Sequence, residues 1–165
     1  MFPIQAAPPP PPPPAHVEYV VPVTAECVLS ASSHYQVPVS LITAVMATEG
    51  GEVSKFSTNT NGTRDYGPMQ INTIWLEELG QYGFTEKVLT NNGCANVFAG
   101  TWILSKHLSR HPTWEAVGRY HSGTPKLKRA YQKRVAARLK SIRKVTDVIN
   151  RANRPIAKYF RHRRG

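Results

Sequence analysis

Cysteine and histidine are too sparse and too scattered in this sequence to suggest a metal centre. The only cysteines are Cys27 and Cys94, no Cys-x-x-Cys spacing occurs, and the six histidines form no zinc pattern. We therefore expect neither a metal nor another cofactor. The residues alone are equally compatible with two buried thiols and with one disulfide in an exported protein.

Long apolar runs are also missing. No stretch of 18 apolar residues occurs among the 165, so we expect no membrane-spanning helix. Residues 1–16 lack a basic region followed by an apolar stretch, and they are not identified as a signal peptide. If the protein is exported, its signal lies upstream, has been removed or is of an unusual kind.

Positive charge is scarce before residue 126 and concentrated after it. Residues 1–125 hold six Lys and Arg against nine acidic residues, whereas residues 126–165 hold fifteen Lys and Arg and one acid, Asp147. The net charge of +11 therefore comes from one basic arm, residues 126–165. Such an arm suits an anionic polymer, a membrane surface or nucleic acid, and it is equally compatible with a solvated helix that has no partner.

Composition divides the chain into three segments. Residues 1–16 include seven consecutive prolines, Pro8 to Pro14, which favour polyproline II and suit either a stiff spacer or a docking ligand. Residues 17–125 have the length and composition of one folded domain. Residues 126–165 are expected to form a basic C-terminal helix and a tail that is disordered after Pro155.

Apolar spacing and capping residues predict an all-α domain, with short helices around a cleft. A loop is expected over residues 52–67, which are rich in Ser, Thr, Asn and Gly. Residues 17–23 favour a short strand or an extended lead-in. The predicted helices cover residues 24–36, 38–49, 72–79, 86–89, 94–109, 112–122 and 125–150.

Glu49 is the first candidate for chemistry. It shares a helical face with Ile42 and Val45, and Gly50 and Gly51 follow it as a helix stop. An apolar setting and the negative end of the helix dipole both disfavour the charged carboxylate, so its pKa should be raised. A glutamate that stays protonated near neutral pH is suited to general acid catalysis, although a solvated glutamate at a helix end has the same pattern.

A polar stretch over residues 59–72 is the second candidate, because short polar side chains on a loop can hold a ligand. An ordinary turn region has the same composition. Five motifs in order, however, resemble the lytic transglycosylases, most closely the small members that accompany type III, type IV and conjugative secretion systems. These motifs are Glu49-Gly-Gly, Asn59-x-Asn-Gly-Thr-x-Asp65, Gly67-Pro-Met-Gln-Ile-Asn72, Cys94-x-Asn-Val97 and Tyr120-His-Ser122.

The resemblance covers residues 24–125 and implies a goose-lysozyme-like helical fold with a substrate cleft. It implies cleavage of the β-1,4 bond between N-acetylmuramic acid and N-acetylglucosamine in peptidoglycan, with Glu49 as the sole acid and base. It also implies that Cys27 and Cys94 are paired in a disulfide. The residues expected at the substrate are Asn61, Asp65, Met69, Gln70, Asn72, Tyr120 and Ser122.

The same resemblance implies a periplasmic or cell-envelope location and a role in opening the wall for a secretion, pilus or conjugation apparatus. Two positions depart from the family pattern. Gly50 replaces a serine that many members have after the glutamate, so the group that orients Glu49 must lie elsewhere, for which Ser54, Thr63 and Ser122 are candidates. His121 stands where many members have asparagine.

One carboxylate suffices for a transglycosylase, because the tethered C6 hydroxyl of the muramic sugar replaces water and closes a 1,6-anhydro ring. A lysozyme-like hydrolase normally needs a second carboxyl group. That alternative would give Asp65 or Glu52 the task of placing water. A third alternative is a non-catalytic scaffold of a secretion machine that binds an anion through its basic arm.

Overall fold

Helices dominate the fold, as expected. The computed structural model describes the backbone of residues 8–13 and 19–161 and the side chains up to residue 151. The short strands are β1 (Phe56–Thr58), β2 (Arg64–Tyr66) and β3 (Ile71–Asn72), and a 3-10 turn covers Thr73–Trp75. The helices are α1 (Ala25–Tyr35), α2 (Val39–Glu49), α3 (Leu76–Gly80), α4 (Glu86–Asn91), α5 (Gly93–Leu108), α6 (Thr113–His121) and α7 (Pro125–Arg161).

Capping residues set the start of α1 and the end of α2, where Glu49 lies. The Thr24 side chain accepts a hydrogen bond from the backbone N–H of Cys27, which satisfies one free donor at the start of α1. Gly50 ends α2 with φ of 64°, a left-handed conformation that glycine adopts without strain. Glu49 is therefore the last helical residue of α2, as the sequence predicted.

The prediction of a loop over residues 52–67 was wrong in part. Strands β1 and β2 lie inside it and pair antiparallel, and β3 adds to β2 to complete a three-stranded sheet. The side chains of β1 are all exposed, so the segment has no alternation of apolar and polar residues that would indicate a strand. The strands bring the polar side chains of residues 59–72 together beside α2.

Helix α5 forms the centre of the core. Most of its side chains are buried, and the helix packs against α1, α4 and α6. A disulfide between Cys27 and Cys94 links α1 to the start of α5, with the two Cα atoms 5.3 Å apart. The pairing implied by the resemblance is therefore confirmed.

Helix α7 begins inside the domain and leaves it. Tyr131 and Val135 are fully buried and pack against the core beside α2, whereas Val145 and Val148 are 60% and 65% exposed. The expectation of disorder after Pro155 was wrong for the described residues, because the helical backbone continues to Arg161. Residues 162–165 lie outside the described part of the chain.

The described residues before α1 contact the rest of the domain. Val21 forms an isolated bridge with Asn92, which agrees with the expected extended lead-in, although residues 17 and 18 lie outside the described residues. Pro10 is buried against the domain. The described helices include none with the length and apolar character needed to cross a bilayer.

Candidate active site

Glu49 and Tyr131 form the centre of the site. The Tyr131 hydroxyl donates a hydrogen bond of 2.6 Å to Oε1 of Glu49. The two residues are 82 positions apart in sequence, and the packing of α7 against α2 brings them together. The Tyr131 ring is completely buried, so the donor is held in place by the core. The group that orients Glu49 is therefore Tyr131, and not Ser54, Thr63 or Ser122.

Burial raises the pKa of Glu49 to about 7, from an ordinary value of 4.5. The Tyr131 hydrogen bond opposes this effect because it favours the charged carboxylate. The negative charge of Asp65 raises the pKa further, and the positive charge of Arg134 lowers it. Burial is the largest of these causes, so Glu49 keeps a large protonated fraction at neutral pH, as a general acid requires.

Two further residues, His121 and Arg134, lie against the Tyr131 ring. The His121 ring is stacked on the Tyr131 ring, with centroids 4.7 Å apart and planes at 6°. The Arg134 guanidinium lies 5.5 Å from the centroid of the same ring. Burial and the charge of Arg134 lower the pKa of His121, so its imidazole is neutral at pH 7. The departure from the family pattern at His121 therefore adds a stacking contact rather than a charge.

The turn at residues 67–70 forms one wall of the site. Asn96 is fully buried and holds this turn with three hydrogen bonds of 2.8 Å, to the carbonyls of Tyr66 and Leu89 and from the N–H of Met69. Gly51 has room for no side chain, because a β-carbon there would overlap the Gly67 carbonyl. The second glycine of Glu49-Gly-Gly thus lets the turn approach the end of α2.

Tyr120 and Met69 meet at this turn. The Tyr120 hydroxyl donates a 2.8 Å hydrogen bond to the backbone carbonyl of Met69. Burial and the nearby charges of Glu49 and Asp65 raise the pKa of Tyr120, which keeps the hydroxyl protonated. The Met69 side chain is fully buried and packs against Gly100 of α5. Met69 therefore supports the turn from beneath and offers no exposed surface to a sugar.

Asp65 is bound by amide groups on both of its oxygens. Asn59 donates to Oδ2 at 2.9 Å, and Asn72 donates to Oδ1 at 2.7 Å. The same two amides also bond the Thr63 hydroxyl, which in turn donates to Asn61. These bonds tie the β1–β2 turn to β3, so Asp65 has a structural part in the loop.

The remaining predicted site residues are placed as follows. Gln70 has a positive φ of 48°, and its side chain bonds Ser57 and the Gly67 carbonyl. Asn61 is exposed on the turn, whereas Ser122 is half-buried at the end of α6, where its hydroxyl accepts from the Thr124 N–H. Among the residues whose side chains are described, no cluster of His, Cys, Asp or Glu could hold a metal ion.

Tyr131 is the residue of the candidate site that sequence reasoning missed. Its place within residues 126–165 assigns it to the basic arm, because the change in charge begins at residue 126. The signal that could have identified it is the spacing of Tyr131 and Val135, which are four residues apart and share one face of a helix.

Comparison with known proteins identifies the family of the chain. A family model described as the transglycosylase SLT domain matches residues 26–142. The chain belongs to the SLT family of lytic transglycosylases. The lysozyme-like helical fold expected from the motifs is thereby confirmed. This membership supports the expected function of a lytic transglycosylase that acts on peptidoglycan.

Several SLT proteins are similar over most of their length. The chain is 36% identical to Protein IpgF of Shigella flexneri over 108 residues, which are 64% of this chain and 71% of the relative. It is 32% identical to Invasion protein IagB of Salmonella typhimurium (strain SL1344) over 117 residues, 70% and 73% of the two chains. It is 30% identical to the X polypeptide of Escherichia coli (strain K12) over 117 residues, 67% of each chain.

Proposed function

We propose that this SLT protein cleaves the β-1,4 bond between N-acetylmuramic acid and N-acetylglucosamine as a lytic transglycosylase, with Glu49 as its only acid and base. The observation that carries the proposal is the Glu49–Tyr131 pair. A carboxyl group with a pKa of about 7 can donate a proton at neutral pH and later accept one. A fixed hydrogen-bond donor keeps it in one orientation.

The Tyr131 hydrogen bond assigns different tasks to the two oxygens of Glu49. Oε1 accepts the hydrogen bond of the Tyr131 hydroxyl at 2.6 Å, so it is the oxygen without a proton when the acid is neutral. Oε2 then holds the proton that passes to the leaving glycosidic oxygen. Because Tyr131 is buried and its hydroxyl stays protonated, the donor remains in place throughout the cycle.

In the second step the ionised Glu49 takes the proton of the C6 hydroxyl on the muramic sugar. The C6 oxygen then bonds to C1 and closes a 1,6-anhydro ring, so no water enters the product. A tethered hydroxyl reacts with an effective molarity that can reach about 10⁵ M or more in well-oriented systems. This advantage removes the need for a second carboxylate that activates water.

The positions of the other two acids disfavour the hydrolase alternative. Both oxygens of Asp65 accept hydrogen bonds from asparagine amides. These are the oxygens that would have to orient a water in a hydrolase. Glu52 has 65% of its side chain exposed and pairs with Lys55 at 2.7 Å. Burial raises the pKa of Glu49, and its second oxygen, Oε2, accepts no hydrogen bond from the described residues.

Product analysis in ¹⁸O-water tests the proposal. Purified peptidoglycan digested by the protein should give unlabelled 1,6-anhydromuramic ends by mass spectrometry. Glu49→Gln keeps the acceptor for Tyr131 but can neither donate nor accept the required proton, so activity should fall about 10²–10⁴-fold. Asp65→Asn is the matched control and should be much milder. Reducing ends that carry ¹⁸O would establish hydrolysis and contradict the proposal.

We further propose that Gln70, Asn72, Tyr120, Ser122 and the exposed Asn61 line the sugar subsites, and that Asp65 and Met69 belong to the wall behind them. The contacts above assign Asp65 and Met69 to the support of this wall, so their effect on substrate passes through their neighbours. We also propose that the catalytic unit extends beyond the expected boundary at residue 125 to about residue 142. Burial of Tyr131 and Val135 supports this extension.

The cellular role follows by similarity. We propose that the protein acts in the periplasm or cell envelope and opens the wall locally for a secretion, pilus or conjugation apparatus. Similarity to a chain named as an invasion protein supports this context. The basic arm beyond residue 142 is exposed along the described part of α7 and is suited to holding the enzyme on an anionic surface.

A further inference from the structure

The proline run lies against the domain with a regular pattern of burial. Among the described prolines of the run, Pro10 is buried and Pro13 is half-buried, whereas Pro8, Pro9, Pro11 and Pro12 are exposed. The two covered rings are three residues apart. Polyproline II has three residues per turn, so a single edge of that helix faces the protein. The pattern is that of a docked ligand rather than of a spacer.

Aromatic side chains lie beside the run. Tyr82 and Trp102 pack edge to face with centroids 5.9 Å apart, and together with Pro9 they line a pocket of about 250 Å³. The Pro13 ring lies over the bare backbone of Gly83, 3.5 Å from where a β-carbon would stand. Flat aromatic rings and a bare glycine offer the shallow, apolar surface that proline-rich segments occupy elsewhere.

Polar groups surround this aromatic surface. The Trp102 indole N–H is buried, and it has no hydrogen-bond partner among the described residues. Lys106 lies over the Trp102 ring, 4.5 Å from its centroid, and pairs with Glu78. Polyproline has carbonyl acceptors and no N–H donors. Within the described residues neither Trp102 nor Lys106 donates to a carbonyl of residues 8–13, so packing rather than hydrogen bonding holds the run.

We infer that the groove formed by Tyr82, Gly83, Trp102 and Lys106 is a binding site for polyproline II segments, occupied in this chain by its own residues 8–13. The ligand class is a proline-rich peptide of about six residues, close to 19 Å long at 3.1 Å per residue. Such a ligand is already extended, so little conformational entropy is lost when it binds.

The groove is separate from the catalytic site. Asn96 and Gly100 of α5 face the turn beside Glu49, whereas Trp102 and Lys106 lie about 120° around the same helix, at about 100° per residue. Occupation of the groove is therefore expected to leave glycan cleavage unchanged. Failure of this proposal would accordingly say nothing against the proposed enzyme activity, and the reverse also holds.

The tethered run competes with any proline-rich segment added from outside. A segment joined to its own site by a short connection has an effective concentration on the order of millimolar. For a free peptide with a dissociation constant of about 0.1 mM, this competition weakens the apparent affinity roughly tenfold. The intact protein should thus bind added proline peptide poorly, and it should bind well once its own run is released.

Two matched full-length variants test the inference. Pro10→Ser with Pro13→Ser removes the two covered rings, whereas Pro11→Ser with Pro12→Ser removes two exposed rings from the same run. Hexaproline amide is titrated into each while the Trp102 indole signal is followed by ¹H–¹⁵N NMR. The first variant should bind at least tenfold more tightly than either the control or the unchanged chain.

A second substitution locates the binding. Tyr82→Leu in the Pro10→Ser, Pro13→Ser background keeps apolar volume but removes the flat ring, and it should abolish the Trp102 shift. A thermal melt confirms that this variant remains folded. Hexaproline that fails to move the Trp102 signal of the Pro10→Ser, Pro13→Ser variant, or that binds all variants with equal affinity, would overturn the inference.

Discussion

The hydroxyl of Tyr131 should set the pH range in which Glu49 works. Tyr131→Phe keeps the buried ring and removes the 2.6 Å hydrogen bond to Oε1 of Glu49. That bond favours the carboxylate, so its loss raises the pKa of Glu49 above about 7. A hydrogen bond to a charged group contributes about 1.5–3 kcal/mol, and each pKa unit corresponds to 1.36 kcal/mol. The expected rise is therefore about one to two pH units.

The measurement is the pH dependence of kcat/KM on soluble glycan fragments. Because Glu49 must be protonated in the free enzyme, kcat/KM falls as pH rises through its pKa. In the Tyr131→Phe variant this fall should occur about one to two pH units higher than in the unchanged protein. The plateau at low pH should also drop, since Oε1 has lost the group that orients it.

Tyr120→Phe is the matched control. Its hydroxyl donates to the Met69 carbonyl and not to Glu49. In the Tyr120→Phe variant activity should therefore fall, but kcat/KM should decline at the same pH as in the unchanged protein. A Tyr131→Phe profile that declines at the original pH, or at a lower one, would show that Tyr131 does not hold the carboxylate. Our assignment of different tasks to Oε1 and Oε2 would then fail.

The remaining predictions concern the disulfide, His121 and the basic arm. Replacing Cys27 and Cys94 by serine releases a loop of 67 residues and should lower the free energy of unfolding by about 4 kcal/mol, measured by denaturant titration under oxidising conditions. His121→Ala removes the ring stacked on Tyr131 and should cost about 0.5–1.5 kcal/mol of stability, with an unchanged pH decline because the histidine is neutral. Deleting residues 150–165 should preserve cleavage of soluble fragments and reduce retention on whole sacculi or anionic surfaces. That retention should weaken steeply with salt, and salt-independent retention would contradict a role for charge.

Local sequence signals predicted the helices and their ends because the deciding residues are adjacent in the chain. Thr24 and Gly50 act on neighbouring backbone groups, so their effects are visible in a window of a few residues. The β1–β2 hairpin gave no such signal. Its stability comes from hydrogen bonds among Asn59, Asp65 and Asn72, and their partners are settled only when the turn closes.

The catalytic pair shows the same limit at longer range. Sequence reasoning found Glu49 and the direction of its pKa change, because burial follows from the apolar face of α2. It could not find the oriented donor, since Tyr131 is 82 residues away and its approach depends on how α7 crosses α2. The change in charge at residue 126 favoured a boundary there, whereas the burial of Tyr131 and Val135 supports the longer unit that we propose.

In the function that we propose, helix α7 links catalysis to anchoring. Tyr131 and Val135 are fixed in the core, Ile142 is half-buried, and Val145 lies free on the same continuous helix. A rigid helix transmits the orientation of its free part to its buried part, because bending it breaks consecutive backbone hydrogen bonds. A surface that holds the basic arm would therefore also fix the direction in which the Glu49 cleft faces. A truncation within residues 131–142 should remove both functions at once, whereas a cut at residue 150 separates them.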